Sequence, residues 1–149
     1  MTKFLLIVHV LAAVVAVGPV TVAASMFPPA ARRALAAPDD LRAAGTVELL
    51  HRICRVYAVI GVAVPVFGFA TASSMGVLGS AWLIVSIVLT ALAAVVLGAL
   101  MLPGQSAFVE GGGTREATVR LAMFTGVFNL LWATVTVLMI VRPGSTTGA

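Results

Sequence analysis

The chain has 149 residues, of which 61% are hydrophobic and 9% charged, with a net charge of +4 and a mean hydropathy of +1.15. An average soluble domain carries about 25% charged residues, so this composition excludes a fold that must cover its surface for water and points to lipid as the solvent. The net positive charge does not read as nucleic-acid binding, because the basic residues flank apolar runs, where anionic headgroups attract them.

A helix needs about 20 apolar residues to cross the hydrocarbon core, and four segments satisfy that length: 3–27, 49–72, 77–102 and 117–141. The first follows a single basic residue, Lys3. It is longer than the apolar region of a secretory signal, about 7–15 residues, so it is expected to stay as a helix despite a weak cleavage pattern at Ala23-Ala24-Ser25. Pro28-Pro29 are expected to stop it. The connection that follows holds Arg32, Arg33, Asp39, Asp40, Arg42 and Glu48. Asp39 or Asp40 is placed to cap a helix after Pro38, and the stretch from Leu41 to Tyr57 reads as an amphipathic lead-in to the second span, with Gly45 a candidate break. Residues 73–79 are small and uncharged and predict a tight hairpin between spans two and three. The third span is expected to end at Pro103-Gly104. Gly111-Gly112-Gly113 predicts a flexible connection, Thr114 an N-cap, and Glu116 with Arg120 a favourable i,i+4 pair. Pro143-Gly144 ends the fourth span, and 143–149 reads as a flexible tail. The expected architecture is all-α: a polytopic membrane protein with four transmembrane helices in an antiparallel bundle over 1–142.

Orientation follows from the nine basic residues. Arg32, Arg33, Arg42, Arg52, Arg55, Arg115 and Arg120 lie on one side of the expected topology, Lys3 and Arg142 on the other. The excess belongs in the cytoplasm. This predicts a multi-pass protein of the cell inner membrane with both termini outside.

Four groups of residues carry candidate chemistry. His9, alone and inside a span, is either a neutral imidazole bonded to a neighbouring helix or a functional group, since ionisable residues within spans face the bundle interior. With Met75 and Met139 on the same side it would supply soft ligands for Cu(I). A haem shared by His9 and His51 fails on geometry: their offsets from mid-span add to roughly 20 Å along the membrane normal, whereas two nitrogens on one iron lie about 4 Å apart. Glu48, His51, Arg52, Cys54 and Arg55 cluster within two turns, and Arg115 and Arg120 are expected to join them. This group is either an interfacial belt of snorkelling side chains or an anion or headgroup site. A lone cysteine excludes an internal disulfide. Mid-span, Asn129 and Thr90 offer polar side chains, while Pro65 and Pro19 free the carbonyls of Gly61 and Val15. In lipid these groups need partners, so Asn129 is expected to donate to Val15 or Gly61 with Thr90 nearby. That focus is either interhelical glue or a ligand-binding point. No phosphate-cradling loop and no nucleophile–base–acid set is present, and no cofactor or metal set is evident.

The run Leu5-Leu6-Ile7-Val8-His9-Val10-Leu11-Ala12-Ala13, followed by Val17-Gly18-Pro19-Val20, resembles the opening helix of small bacterial four-helix integral membrane proteins of unknown function, of the kind found in actinobacteria. Those proteins look distantly like the membrane domain of CopD-type copper-resistance proteins. The resemblance covers about the first 30 residues. It implies a four-helix membrane protein and singles out His9, with no established activity.

These readings rank an accessory or scaffold subunit of a larger membrane assembly first, with the lipid bilayer and other membrane subunits as partners. A binding or transport module for copper, lipid or another apolar ligand comes second. A membrane enzyme using His9 or His51 comes third.

Overall fold

A computed structural model describes residues 1–145 of the chain. The expected flexible tail lies, from residue 146 onward, outside the described residues. The described structure is all-helical. Four long helical stretches, Thr2–Ala36, Leu41–Met75, Ala81–Gly112 and Arg115–Val141, are each long and apolar enough to cross a membrane.

The first stretch is one helix, α1 (Thr2–Ala36), and it does not stop at Pro28-Pro29. Each interior proline forfeits one helical hydrogen bond. Packing offsets that loss: Ala24, Phe27 and Ala31, on either side of the prolines, are fully buried. They belong to a core shared with Val47, Leu50 and Cys54. Phe27 also meets the ring of Phe108 edge-on at 5.7 Å.

The second stretch comprises α2 (Leu41–Ile60) and α3 (Ala63–Met75). Asp40 caps α2 by accepting from the backbone N–H groups of Arg42 and Ala43, and Gly45 lies inside the helix without breaking it. The interruption comes instead at Gly61-Val62. Pro65 has no N–H to offer the Gly61 carbonyl, and Val64 N–H takes its place at 3.1 Å, tightening the turn to a 3₁₀ spacing. α3 ends at Gly76, whose left-handed backbone (φ 71°) suits a residue without a Cβ.

The third stretch begins with α4 (Ala81–Val95), widens into π-helical turns at Val96–Met101, and resumes as α5 (Leu102–Ala107). A second π-turn, Phe108–Gly112, ends it. Pro103 therefore does not end the helix. It falls in the first turn of α5, just after the register has shifted, where a missing donor costs little. The fourth stretch is α6 (Arg115–Val141), capped by the Thr114 hydroxyl, which accepts from Ala117 N–H at 3.0 Å.

α1 is the organising element: it packs on α2, α3 and α6, while α4 and the first π-turn pack on α6. α2 meets the third stretch through α5 and the second π-turn. The main core lies among these contacts, and a smaller one of Ala72, Trp82 and Leu83 lies beside the 76–80 turn.

Candidate functional site

The most connected polar arrangement joins α2 to α5. His51, Gln105 and Cys54 are all buried, at 8%, 1% and 0% exposure. His51 Nδ1 lies 3.1 Å from Gln105 Oε1. Gln105 Nε2 donates to Cys54 Sγ at 3.6 Å, and the thiol points at the Val20 carbonyl at 4.0 Å. The amide oxygen only accepts, so the Nδ1 nitrogen carries the proton of this bond. Donors then run one way, from His51 through Gln105 and Cys54 to the backbone of α1. His51 Nε2 makes no bond among the described residues.

That nitrogen belongs to a residue lining a groove of about 450 Å³ between α2 and the end of the third stretch. The other lining residues include Glu48, Arg52 and Arg55 from α2, and Ser106 and Glu110 from the facing helix. Ser106 Oγ donates to Glu110 at 3.2 Å. Arg52, Arg55 and Glu48 have no side-chain partner among the described residues.

Arg115 and Arg120 were expected to complete this group, and they do not. They line a separate depression on α6 with Glu116, Val119 and Met123. The partners that do arrive are Gln105, Ser106 and Glu110. They are hidden in the sequence because Pro103 reads as the end of the third span. Ser106 and Glu110 stand four apart, a helical spacing that was visible in the sequence.

The expected mid-span focus is not assembled. Gly61 is satisfied by Val64 within its own segment, and Thr90 bonds back to the Ser86 carbonyl of its own helix at 2.7 Å. Asn129 Nδ2 donates to Ser25 Oγ at 3.3 Å. Ser25 is ten residues, about 15 Å of helix, from Val15, whose carbonyl Pro19 frees. Asn129 Oδ1 is buried without a partner, as are Thr21 Oγ1 and Trp132 Nε1 on the same two helices, α1 and α6.

His9 sits against α3, with Nδ1 2.9 Å from the Val64 carbonyl. A Cβ on Gly68 would come 2.8 Å from the His9 ring, so the two helices approach closely there. Met75 lies seven residues beyond Gly68, about 10 Å further along the helix. Among the described residues no cluster of three or more His, Cys, Asp or Glu side chains is placed to hold a metal.

No protein-family model, curated protein or solved structure matches this chain.

Proposed function

We propose that this chain is a small multi-pass subunit of a larger membrane assembly, and that it docks a transmembrane helix of another subunit against the α1/α6 face. The supporting observation is the Ser25–Asn129 pair. Ser25 is exposed, and the half-buried Asn129 donates to its hydroxyl oxygen, which leaves the Ser25 O–H free to donate to a partner. Apolar side chains on the same helices, Val22, Met26 and Leu130, are exposed. Lipid offers no hydrogen bonds to such a pair. A neighbouring helix that bonds the exposed Ser25 hydroxyl does, and contacts of this kind hold membrane helices together by about 0.6–2 kcal/mol each.

In this reading the four long helices cross the inner membrane as an antiparallel bundle, with the arginine-rich connections in the cytoplasm. Exposed apolar residues along all four helices support it, because a soluble monomer rarely leaves such continuous apolar surface in water.

A photo-crosslinking residue in place of Val22, in native membranes, tests the proposal. The expected product is an adduct with a second membrane protein, identified by mass spectrometry and lost on Asn129→Leu. The same crosslinker in place of Val59, exposed on α2, yields no such adduct. Adducts with lipid alone, or with a second copy of this chain alone, would refute the subunit assignment.

A further inference from the structure

The groove between α2 and the end of the third stretch carries both signs of charge in an order that selects a ligand. Glu48, Arg52 and Arg55 follow one another along an exposed stripe of α2. Glu48 stands nearest the 37–40 connection and Arg55 about 10 Å further along the helix. Across the groove Glu110 stands near the end of its helix, with Ser106 one turn deeper. Carboxylates thus line the outer rung and guanidinium groups the inner one. Leu49 and Val109 are exposed at the groove, and Val56 and Val59 continue an exposed apolar surface along α2.

The wall between the rungs is His51. It is more than nine-tenths buried, and Gln105 fixes it with the proton on Nδ1. Its Nε2 makes no bond among the described residues. An anion alone would meet Glu48 and Glu110 at the mouth. A cation alone would meet Arg52 and Arg55 inside. A zwitterion whose cation is outermost satisfies both.

We propose that this groove binds a phosphoethanolamine group, the zwitterionic headgroup of a bilayer lipid. The phosphate accepts from Arg52 and Arg55, in the charge-assisted geometry guanidinium favours. The primary ammonium donates to Glu48 and Glu110. A lipid enters in the matching sense, phosphate inward and ammonium toward water, with its acyl chains along Val56 and Val59. Free phosphoethanolamine shares the headgroup chemistry without the chains.

The test uses the full-length protein in detergent and native mass spectrometry with short-chain phosphatidylethanolamine, phosphatidylglycerol of equal chain length, and soluble phosphoethanolamine. The wild type is expected to prefer phosphatidylethanolamine by about tenfold, the scale of one lost charge-assisted contact. Arg52→Gln with Arg55→Gln loses both lipids. Glu48→Gln with Glu110→Gln loses the preference but still binds phosphatidylglycerol. Arg115→Gln with Arg120→Gln removes equal charge from the other depression and leaves the preference intact. Competition by soluble phosphoethanolamine at equal concentration assigns the free compound; resistance to a large excess assigns the lipid. Equal affinity for both lipids in the wild type, or tighter phosphatidylglycerol binding, overturns the proposal. So does a preference that survives Glu48→Gln with Glu110→Gln, a readout that stands even if the arginine pair fails to fold.

Discussion

His9 bonds the carbonyl of Val64, the residue immediately before Pro65, at 2.9 Å. The partner oxygen only accepts, so His9 Nδ1 is the donor. This ties the first helix to the second just beyond the Gly61-Val62 interruption, where α3 has its own start and is anchored mainly by α1. The imidazole reaches the carbonyl because Gly68 leaves its space open.

The His9–Gly68 contact predicts a coupled pair of substitutions. Gly68→Ala places a Cβ against a ring that its hydrogen bond holds in position, and should destabilise by about 1–3 kcal/mol. His9→Ala should cost about 0.6–2 kcal/mol. The double variant should fall well short of the sum, because the small residue at position 9 removes the clash. Gly98→Ala, where an added Cβ meets nothing within 4 Å, should be neutral or slightly stabilising. Unfolding midpoints in detergent read all four; strict additivity of His9→Ala and Gly68→Ala would show that the two positions do not touch.

Gln105 predicts the reactivity of Cys54. The thiol is fully buried and bonded on both sides, so a maleimide should label it only as fast as the fold opens. Gln105→Leu strands His51 Nδ1 and removes the donor to Cys54, a loss of about 1–3 kcal/mol for buried polar groups. Labelling in detergent should then quicken by about tenfold. A wild-type thiol that reacts at the rate of a free cysteine, or a variant that labels no faster, contradicts the buried chain.

The contrast between Asp40 and Pro103 shows what was legible in the sequence. Both caps were readable, the first to within Asp39 or Asp40 and the second as Thr114, because a cap is a local contract between a side chain and the next turn's N–H groups. All four long helices were readable from apolar length. Their ends were not. Proline is read as a stop, yet Pro28, Pro29 and Pro103 lie inside longer stretches, sustained by burial and by π-turns that depend on distant helices. The misplaced ends then misplaced the chemistry. A third span ending at Pro103 leaves Gln105 and Glu110 in a loop, outside the cluster around His51. A first span centred on Val15 hid Ser25 as the partner of Asn129. Gly61 needed no distant donor, because the backbone could tighten by one residue and use Val64.

The arginine distribution predicts which turn faces which compartment. Gly79 lies in the turn before α4, where an added side chain meets nothing within 4 Å, and Asp39 lies exposed in the connection before α2. In a Cys54→Ala background, Gly79→Cys should react with a membrane-impermeant maleimide on intact cells, and Asp39→Cys only after lysis. The physical cause is the cost of translocating the arginines around the second site, each opposed by the cytoplasm-negative membrane potential at about 2.3 kcal/mol per charge per 100 mV. Reversed labelling would keep the four crossings and invert the orientation. Labelling of both sites on intact cells would contradict the crossings, since the helix from Leu41 to Met75 lies between the two positions and must then leave them on the same side.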